Sequence, residues 1–234
     1  MTARPPSRGK TMYGILLAGA MAFMLLDAVR ILPSEPSGLT GVVDSQMANS
    51  GVEHPVTAVL LNFRGYDTWL ELGVLLLAVM GVLLFQPGTD LARVQPLARS
   101  DAVLRLATSL LLPLAVLVAG YLLWIGKYAA GGAFQAGVVL GAALILLWLS
   151  GNATLVILPP HGFRLILVLG FCAFMAVAVG LLIAGQGWLE LPPSQAGSLI
   201  LFIEACATLS IAWTMAALII GLQPPVSGKQ EGGP

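Results

Sequence analysis

Charged residues are scarce in this chain. Asp, Glu, Lys and Arg make up 9% of its 234 residues, whereas a soluble domain carries about a quarter. Hydrophobic residues make up 58%, so too few polar side chains remain to cover a water-facing surface. This shortage excludes an ordinary soluble protein and predicts an integral membrane protein. The 11 basic and 11 acidic residues balance, so no net positive charge favours binding to nucleic acid.

Cysteine and histidine are equally scarce. Cys172 and Cys206 lie in separate apolar runs without a CxxC motif, so we interpret them as small buried residues and expect no iron–sulfur centre in this chain. His54 and His161 have no partners at metal-ligand spacing, and neither a metal site nor a cofactor is predicted. No Ser/His/Asp or Cys/His combination is available, and the Gly-rich stretches follow no strand. The sequence therefore predicts neither covalent catalysis nor nucleotide binding.

The apolar residues form six runs that each approach or exceed the roughly 20 residues needed to cross about 30 Å of hydrocarbon. Backbone polar groups in lipid must be satisfied internally, so each run is predicted to be a helix. The predicted fold is all-α, a polytopic membrane protein with six transmembrane helices. These helices cover residues 12–32, 67–85, 104–125, 134–158, 163–184 and 198–222. A short helix or embedded segment is predicted at residues 56–63, and a polar, solvent-facing loop at residues 33–53.

The Lys and Arg residues predict the orientation, because cytoplasmic loops are enriched in them. With six spans and the N-terminus inside, eight of these residues lie on the inner side and three on the outer side, namely Arg30, Arg64 and Lys127. We therefore expect both termini inside. The hydrophilic connection between the second and third predicted helices then lies in the cytoplasm. It forms a linker (87–101) between a two-helix unit (1–86) and a four-helix unit (102–234).

Three charged residues lie at the start of the second predicted helix. Arg64, Asp67 and Glu71 are spaced i, i+3 and i+7, on one face of one helix if that helix extends back to Arg64. A charge in hydrocarbon is costly and marks an ion path, a proton relay or a structural pair. Two interpretations stand for these residues: participation in an ion path, or a charge network that docks the helix on its neighbours.

Glu204 is the most isolated charge in the sequence. Residues 198–222 contain no other charged side chain. A helix that begins near Gln195 would place Glu204 about 13 Å into a core about 30 Å thick. Within its own helix, only Thr208 is placed one turn on to bond to it. A carboxyl group at that depth suits a proton relay, and the alternative is a neutral acid bonded to another subunit.

Two further charged sites are predicted near helix ends. Lys127 follows the third predicted helix and precedes Gly131 and Gly132, which allow tight packing or a break between helices. Either an interfacial anchor or a place in an ion path fits Lys127. Asp27 and Arg30 are spaced i, i+3 near the outer end of the first predicted helix, and we interpret them as a structural ion pair.

Residues 54–83 resemble the end of the large A subunit of Mrp-type cation/proton antiporters. The same module occurs as a separate small subunit in membrane-bound hydrogenases. The family pattern is Arg-Gly-Phe/Tyr-Asp-Thr followed by a Glu that opens the apolar helix. The matching positions are Arg64, Gly65, Tyr66, Asp67, Thr68 and Glu71.

Residues 101–152 resemble the B subunit of the same antiporters. The family has Leu-Arg, then Leu-Leu-Pro inside a helix, then two glycines before a Phe; the matching positions are Leu104, Arg105, Leu111, Leu112, Pro113, Gly126, Gly131, Gly132 and Phe134. An acid in the last helix of that subunit is matched by Glu204. The family usually has His-Gly-His before the glycines, and this chain has Ile125, Gly126 and Lys127 there. Lys127 is thus the candidate substitute for a histidine in a proton step.

The resemblance implies a non-enzymatic subunit of a multisubunit Na⁺ (or other monovalent cation)/H⁺ antiporter in the membrane of a bacterial or archaeal cell. Arg64, Asp67, Glu71, Lys127 and Glu204 would belong to an ion or proton path shared with partner subunits, including large proton-channel subunits. Two alternatives stay open. The chain could be a membrane-arm subunit of a redox-driven complex such as a membrane-bound hydrogenase, or a purely structural membrane subunit whose charges are docking pairs.

Overall fold

The computed structural model describes residues 8–31, 38–85, 102–151 and 159–221. All regular secondary structure in these ranges is helical, which confirms the predicted all-α class for the part of the chain described. The chain divides into two compact units, residues 1–41 and residues 42–234.

The first unit contains helix α1, Arg8–Ile31, which covers most of the first predicted span. Its 24 residues extend about 36 Å at 1.5 Å per residue, enough to cross a bilayer core. Asp27 and Arg30 lie near its C-terminal end with exposed side chains, and the structure forms no salt bridge between them. Their pairing therefore stays a prediction.

The remaining helices lie in the second unit, apart from the first residues of α2. In chain order they are α2 (Thr40–Ser50), α3 (Pro55–Ala58), a π-helical turn (Val59–Phe63), α4 (Gly65–Phe85), α5 (Ala102–Ile125), α6 (Ala133–Leu149), α7 (Pro160–Ile183) and α8 (Pro193–Gly221). The short helix predicted at residues 56–63 is confirmed by α3 and the π-helical turn. The predicted linker, residues 87–101, lies outside the described residues.

Four helices are long and apolar enough to cross a membrane within the described part of the chain: α4, α5, α7 and α8. They coincide with four of the six predicted spans. Helix α6 is apolar but has 17 residues; the rest of its predicted span falls largely on residues 152–158, which are not described. The multi-pass membrane class is therefore supported, whereas the count of six and the orientation stay predictions.

The loop predicted at residues 33–53 is wrong in its second half, where the structure has α2. The Gly, Ser and Asn content of this segment indicated a loop. Val43 and Met47, however, are one turn apart and partly buried, and Met47 packs against the main hydrophobic core. Met47 thus connects this polar helix to the core, a tertiary contact that its composition does not show.

Helix α8 is the centre of the second unit and packs against α4, α6 and α7. Glycines on its neighbours allow this close approach. A Cβ atom on Gly137 or Gly141 of α6 would lie 2.7 Å from the side chain of Ile211 or 3.0 Å from that of Met215, respectively. A Cβ atom on Gly170 of α7 would lie 2.8 Å from the Cα of Ala207. Small residues are the usual means of close helix contact in membranes, and here they fix the position of the helix that carries Glu204.

Candidate functional site

Glu204 lies within α8 and is 4% exposed. Its Oε1 atom accepts a hydrogen bond from the backbone N–H of Ala133, with 3.3 Å between the heavy atoms. Thr208, one turn further along α8, donates its hydroxyl to the Glu204 carbonyl at 2.7 Å and lies 3.5 Å from the Ala133 carbonyl. The carboxyl group predicted to be buried is therefore buried, and its partner comes from another helix.

The turn between α5 and α6 brings that partner to the carboxyl group. Gly132 has φ +106°, a conformation that L side chains rarely adopt, and a Cβ atom there would lie 2.6 Å from Oε1 of Glu204. A Cβ atom on Gly131 would lie 2.5 Å from the Leu122 carbonyl oxygen. Only glycine fits both places. As Ala133 is the first residue of α6, the positive end of a helix dipole faces the carboxyl group.

Lys127 lies in the same turn and shares a cavity with Glu204. The cavity has a volume of about 190 Å³ and is lined by Trp124, Lys127, Tyr128, Gly197, Ser198, Ile200, Leu201 and Glu204. The structure forms no salt bridge between Lys127 and Glu204. The two charged groups that the sequence separates by 77 positions therefore face one space without neutralising each other directly.

Gly197 shows where the Lys127 side chain lies along α8. A Cβ atom on Gly197 would be 2.9 Å from Nζ of Lys127, so the missing side chain leaves room for the ammonium group. Glu204 is seven residues further along α8, on the same face and about 10 Å down the helix axis. The cavity therefore connects an ammonium group near the start of α8 with an acid in its interior.

The segment of residues 50–57 forms hydrogen bonds to the backbone of the turn that contains Lys127. The backbone N–H groups of Glu53 and His54 both donate to the Lys127 carbonyl at 3.1 Å, and the Thr57 hydroxyl donates to the Gly126 carbonyl. Gly51, at φ +68°, fits against the start of α8 at Pro193. Backbone geometry around Lys127 is thus set by residues more than 65 positions earlier in the chain.

We expect the Thr57→Val variant to lower the thermal stability of the protein and the rate of any transport that uses Lys127. Valine has the shape of threonine but cannot bond to Gly126, and a buried carbonyl without a partner costs about 1–3 kcal/mol. The measurement is the melting temperature of the purified assembly together with its transport rate. Thr108→Val is the matched control, because Thr108 is buried and bonds to Leu104 within α5. An equal loss of transport in both variants would contradict a specific role for the 50–57 segment.

Arg64 and Asp67 form the salt bridge that their spacing allows, with 2.8 Å between Nη2 and Oδ2. Their side chains are 65% and 42% exposed. Glu71 does not join them: it is exposed on α4, and neither a hydrogen bond nor an ion pair is present for it among the described residues. The single helical face required α4 to extend back to Arg64, but α4 begins at Gly65 and Arg64 has φ −132°.

Sequence reasoning did not identify several residues of the site. The hydroxyl of Thr57 and the amide of Ala133 act through contacts between distant parts of the chain, and no local pattern predicts them. Gly132 was noted for close packing, but not as the residue that admits the carboxyl group. No group of three or more His, Cys, Asp or Glu residues that could hold a metal ion occurs in the described ranges.

Comparison with known proteins gives one family and two solved structures. The family, described as a domain related to the MnhB subunit of the Na⁺/H⁺ antiporter, matches residues 103–222. A chain of the membrane-bound sulfane sulfur reductase, an archaeal respiratory membrane complex, is similar in fold with a TM-score of 0.68 and 20% identity, over 91% of this chain and 97% of that one. No curated protein matches.

A chain of the Mrp complex from Dietzia sp. DQ12-45-1b is also similar in fold, with a TM-score of 0.68 and 20% identity. The likeness covers 99% of this chain but 27% of the Dietzia chain, so this chain spans about a quarter of that relative. Both solved structures belong to multisubunit membrane complexes. The family match extends over more than half of the sequence, and the chain therefore belongs to the family of domains related to the MnhB subunit of Na⁺/H⁺ antiporters.

Proposed function

We propose that this chain is a small membrane subunit of a multisubunit cation/proton antiporter and that Glu204 and Lys127 form part of its ion path. The observation that carries the proposal is that these two residues line one open cavity in a protein whose long helices are apolar enough to cross a membrane. Ionisable residues in membrane interiors are rare and mark substrate or proton pathways. The family match and the fold likeness support the same class of complex.

The geometry fits a proton relay. A water molecule occupies about 30 Å³ in the liquid, so the cavity has room for a short chain of waters between the ammonium group and the carboxyl group. In such a chain Glu204 takes up a proton from water and releases it again. The Ala133 N–H holds the carboxyl group in place at the wall of the cavity.

A second part of the path involves the outward face of α4. Glu71 is exposed there, close in sequence to the Arg64–Asp67 pair. An exposed carboxylate on an apolar helix needs water, lipid headgroups or a partner chain around it. We propose that a partner subunit covers this face, and that large proton-channel subunits are among the partners. The proposed arrangement in a bacterial or archaeal cell membrane has six spans with both termini inside. It contains two modules, residues 1–86 and residues 102–234.

A redox-driven complex is the second candidate. It is favoured by the fold likeness to a chain of a respiratory membrane complex, which extends over nearly the whole of both chains. In such a complex the same cavity would move ions while a partner subunit carries the electrons. Purification of the assembly distinguishes the two, because a co-purifying peripheral metalloprotein indicates a redox complex and its absence an antiporter.

Replacement of Lys127 tests the proposal. In vesicles that contain the complete complex, we expect Lys127→Gln to lower Na⁺/H⁺ exchange about ten-fold or more, because loss of the positive charge needs to raise the transport barrier by only about 1.4 kcal/mol to do so. Lys127→Arg keeps the positive charge and should retain most of the rate. The measurement is the Na⁺-driven change in internal pH. Wild-type exchange in Lys127→Gln, with the complex intact, would leave only a structural role for this turn.

A further inference from the structure

Building on the proposed function, we infer that the cavity between Lys127 and Glu204 passes protons and excludes Na⁺ and other monovalent metal cations. The proposed function gives Glu204 a role in a proton relay but leaves open whether Na⁺ or another metal cation also enters this cavity. Three features of the cavity decide between a proton and a metal cation: its charges, the helix end that faces it, and the state of the carbonyl groups around it.

The charges leave no negative surplus for a metal cation. Among the described residues that line the cavity, Glu204 carries the only carboxylate and Lys127 the only ammonium group, while Tyr128 is the remaining titratable side chain. A cation that enters must therefore share the space with a positive charge that is covalently attached. Glu53 and His54, on the neighbouring 50–57 segment, are not among the lining residues.

The helix end that faces the cavity, the N-terminus of α6, also favours a proton over a metal cation. The N-terminus of α6 faces Glu204 through the Ala133 N–H. In membrane transporters the positive N-terminal ends of broken helices face anionic groups, whereas unwound carbonyls and C-terminal helix ends coordinate Na⁺. Here the turn between α5 and α6 leads into α6, and the positive N-terminal end of α6 faces the carboxyl group. That arrangement stabilises a carboxylate without any metal ion.

Three carbonyl groups in and next to the α5–α6 turn are already bonded. The Lys127 carbonyl accepts two N–H groups, the Gly126 carbonyl accepts the Thr57 hydroxyl, and the Leu122 carbonyl accepts the Gly132 N–H at 2.8 Å. A dehydrated alkali cation needs several oxygen ligands to replace its hydration shell. The 50–57 segment thus occupies the carbonyls of Gly126 and Lys127, which a cation could otherwise use as ligands. A proton needs only a carboxyl oxygen and water.

Infrared difference spectroscopy on the purified wild-type complex tests this inference directly. The carboxyl band of Glu204 is identified as the band that disappears in Glu204→Gln, and Ser198→Ala serves as a control that should leave it in place. We expect the band to grow as the pH is lowered, and to be the same within error in NaCl and in choline chloride at one pH. Loss of the band on addition of NaCl would show that Na⁺ displaces the proton and would overturn the inference.

Exchange kinetics give a second readout in variants that keep some activity. We expect Glu204→Asp to lower the maximal rate and Lys127→Arg to retain most of it, and we expect both to leave the half-saturating Na⁺ concentration within about two-fold of wild type, because neither residue binds Na⁺. A five-fold or larger shift in half-saturation would contradict proton selectivity while leaving the proposed ion path intact. Unchanged exchange in Glu204→Gln would instead refute the proposed function itself.

Discussion

Replacing Glu204 with Gln is expected to reduce Na⁺/H⁺ exchange by the intact complex by about 100-fold or more, the lower end of the effect expected for loss of a positioned proton-transfer group. Glutamine keeps the size of the side chain and its acceptor oxygen, so the Ala133 N–H still has a partner. It cannot take up and release a proton. The measurement is Na⁺-driven proton movement in vesicles at equal amounts of assembled complex.

Two controls separate transport from assembly. Glu204→Gln should co-purify with the same partner chains as the wild type and with a similar melting temperature, because the hydrogen bond to α6 is retained. Glu190→Gln is the matched control variant: Glu190 lies in the α7–α8 connection, is exposed and bonds to the Gly187 N–H, away from the cavity. Full exchange in Glu204→Gln would reduce Glu204 to a structural acid.

Replacing Gly132 with Ala is expected to have the largest effect on the fold of the site. A residue other than glycine at this positive φ costs about 1–3 kcal/mol, and the new Cβ atom would be 2.6 Å from Oε1 of Glu204. The carboxyl group must then leave the N-terminus of α6, or the turn must open. We expect a lower melting temperature of the complex and a loss of exchange close to that of Glu204→Gln.

The control for this variant is Gly180→Ala. Gly180 lies within α7, and a Cβ atom there would have no neighbour within 4 Å. The Gly180→Ala complex should therefore assemble and exchange ions as the wild type does. A stable and fully active Gly132→Ala complex would show that the close approach of the turn to Glu204 is not needed for transport.

The sequence predicts the parts of this structure that depend on local pattern. Long apolar runs predict α4, α5, α7 and α8, because a helix is the favoured way to satisfy the backbone in lipid. Burial of Glu204 follows from the absence of other charges around it in the sequence. Helix α2 was missed, because its polar composition is typical of a loop and its contact with the core, through Met47, depends on the tertiary fold.

The geometry of the site depends on contacts that no local pattern contains. The proximity of Lys127 to Glu204 requires both the tight Gly131–Gly132 turn and the close packing of α6 on α8. Asp67 and Glu71 lie one turn apart on α4, but both are acids and do not pair with each other. Arg64 precedes α4 and pairs with Asp67, the nearer of the two acids.

The most direct test of the central claim is the access of water to Glu204 in the assembled complex. The carboxyl band of Glu204, identified by difference from Glu204→Gln under acidic conditions, can be followed after transfer into D₂O. A hydrated cavity predicts that the band moves to its deuterated position as soon as the solvent is exchanged. A band that stays in place for hours in the folded complex would show a sealed acid and would contradict a proton path through this chain.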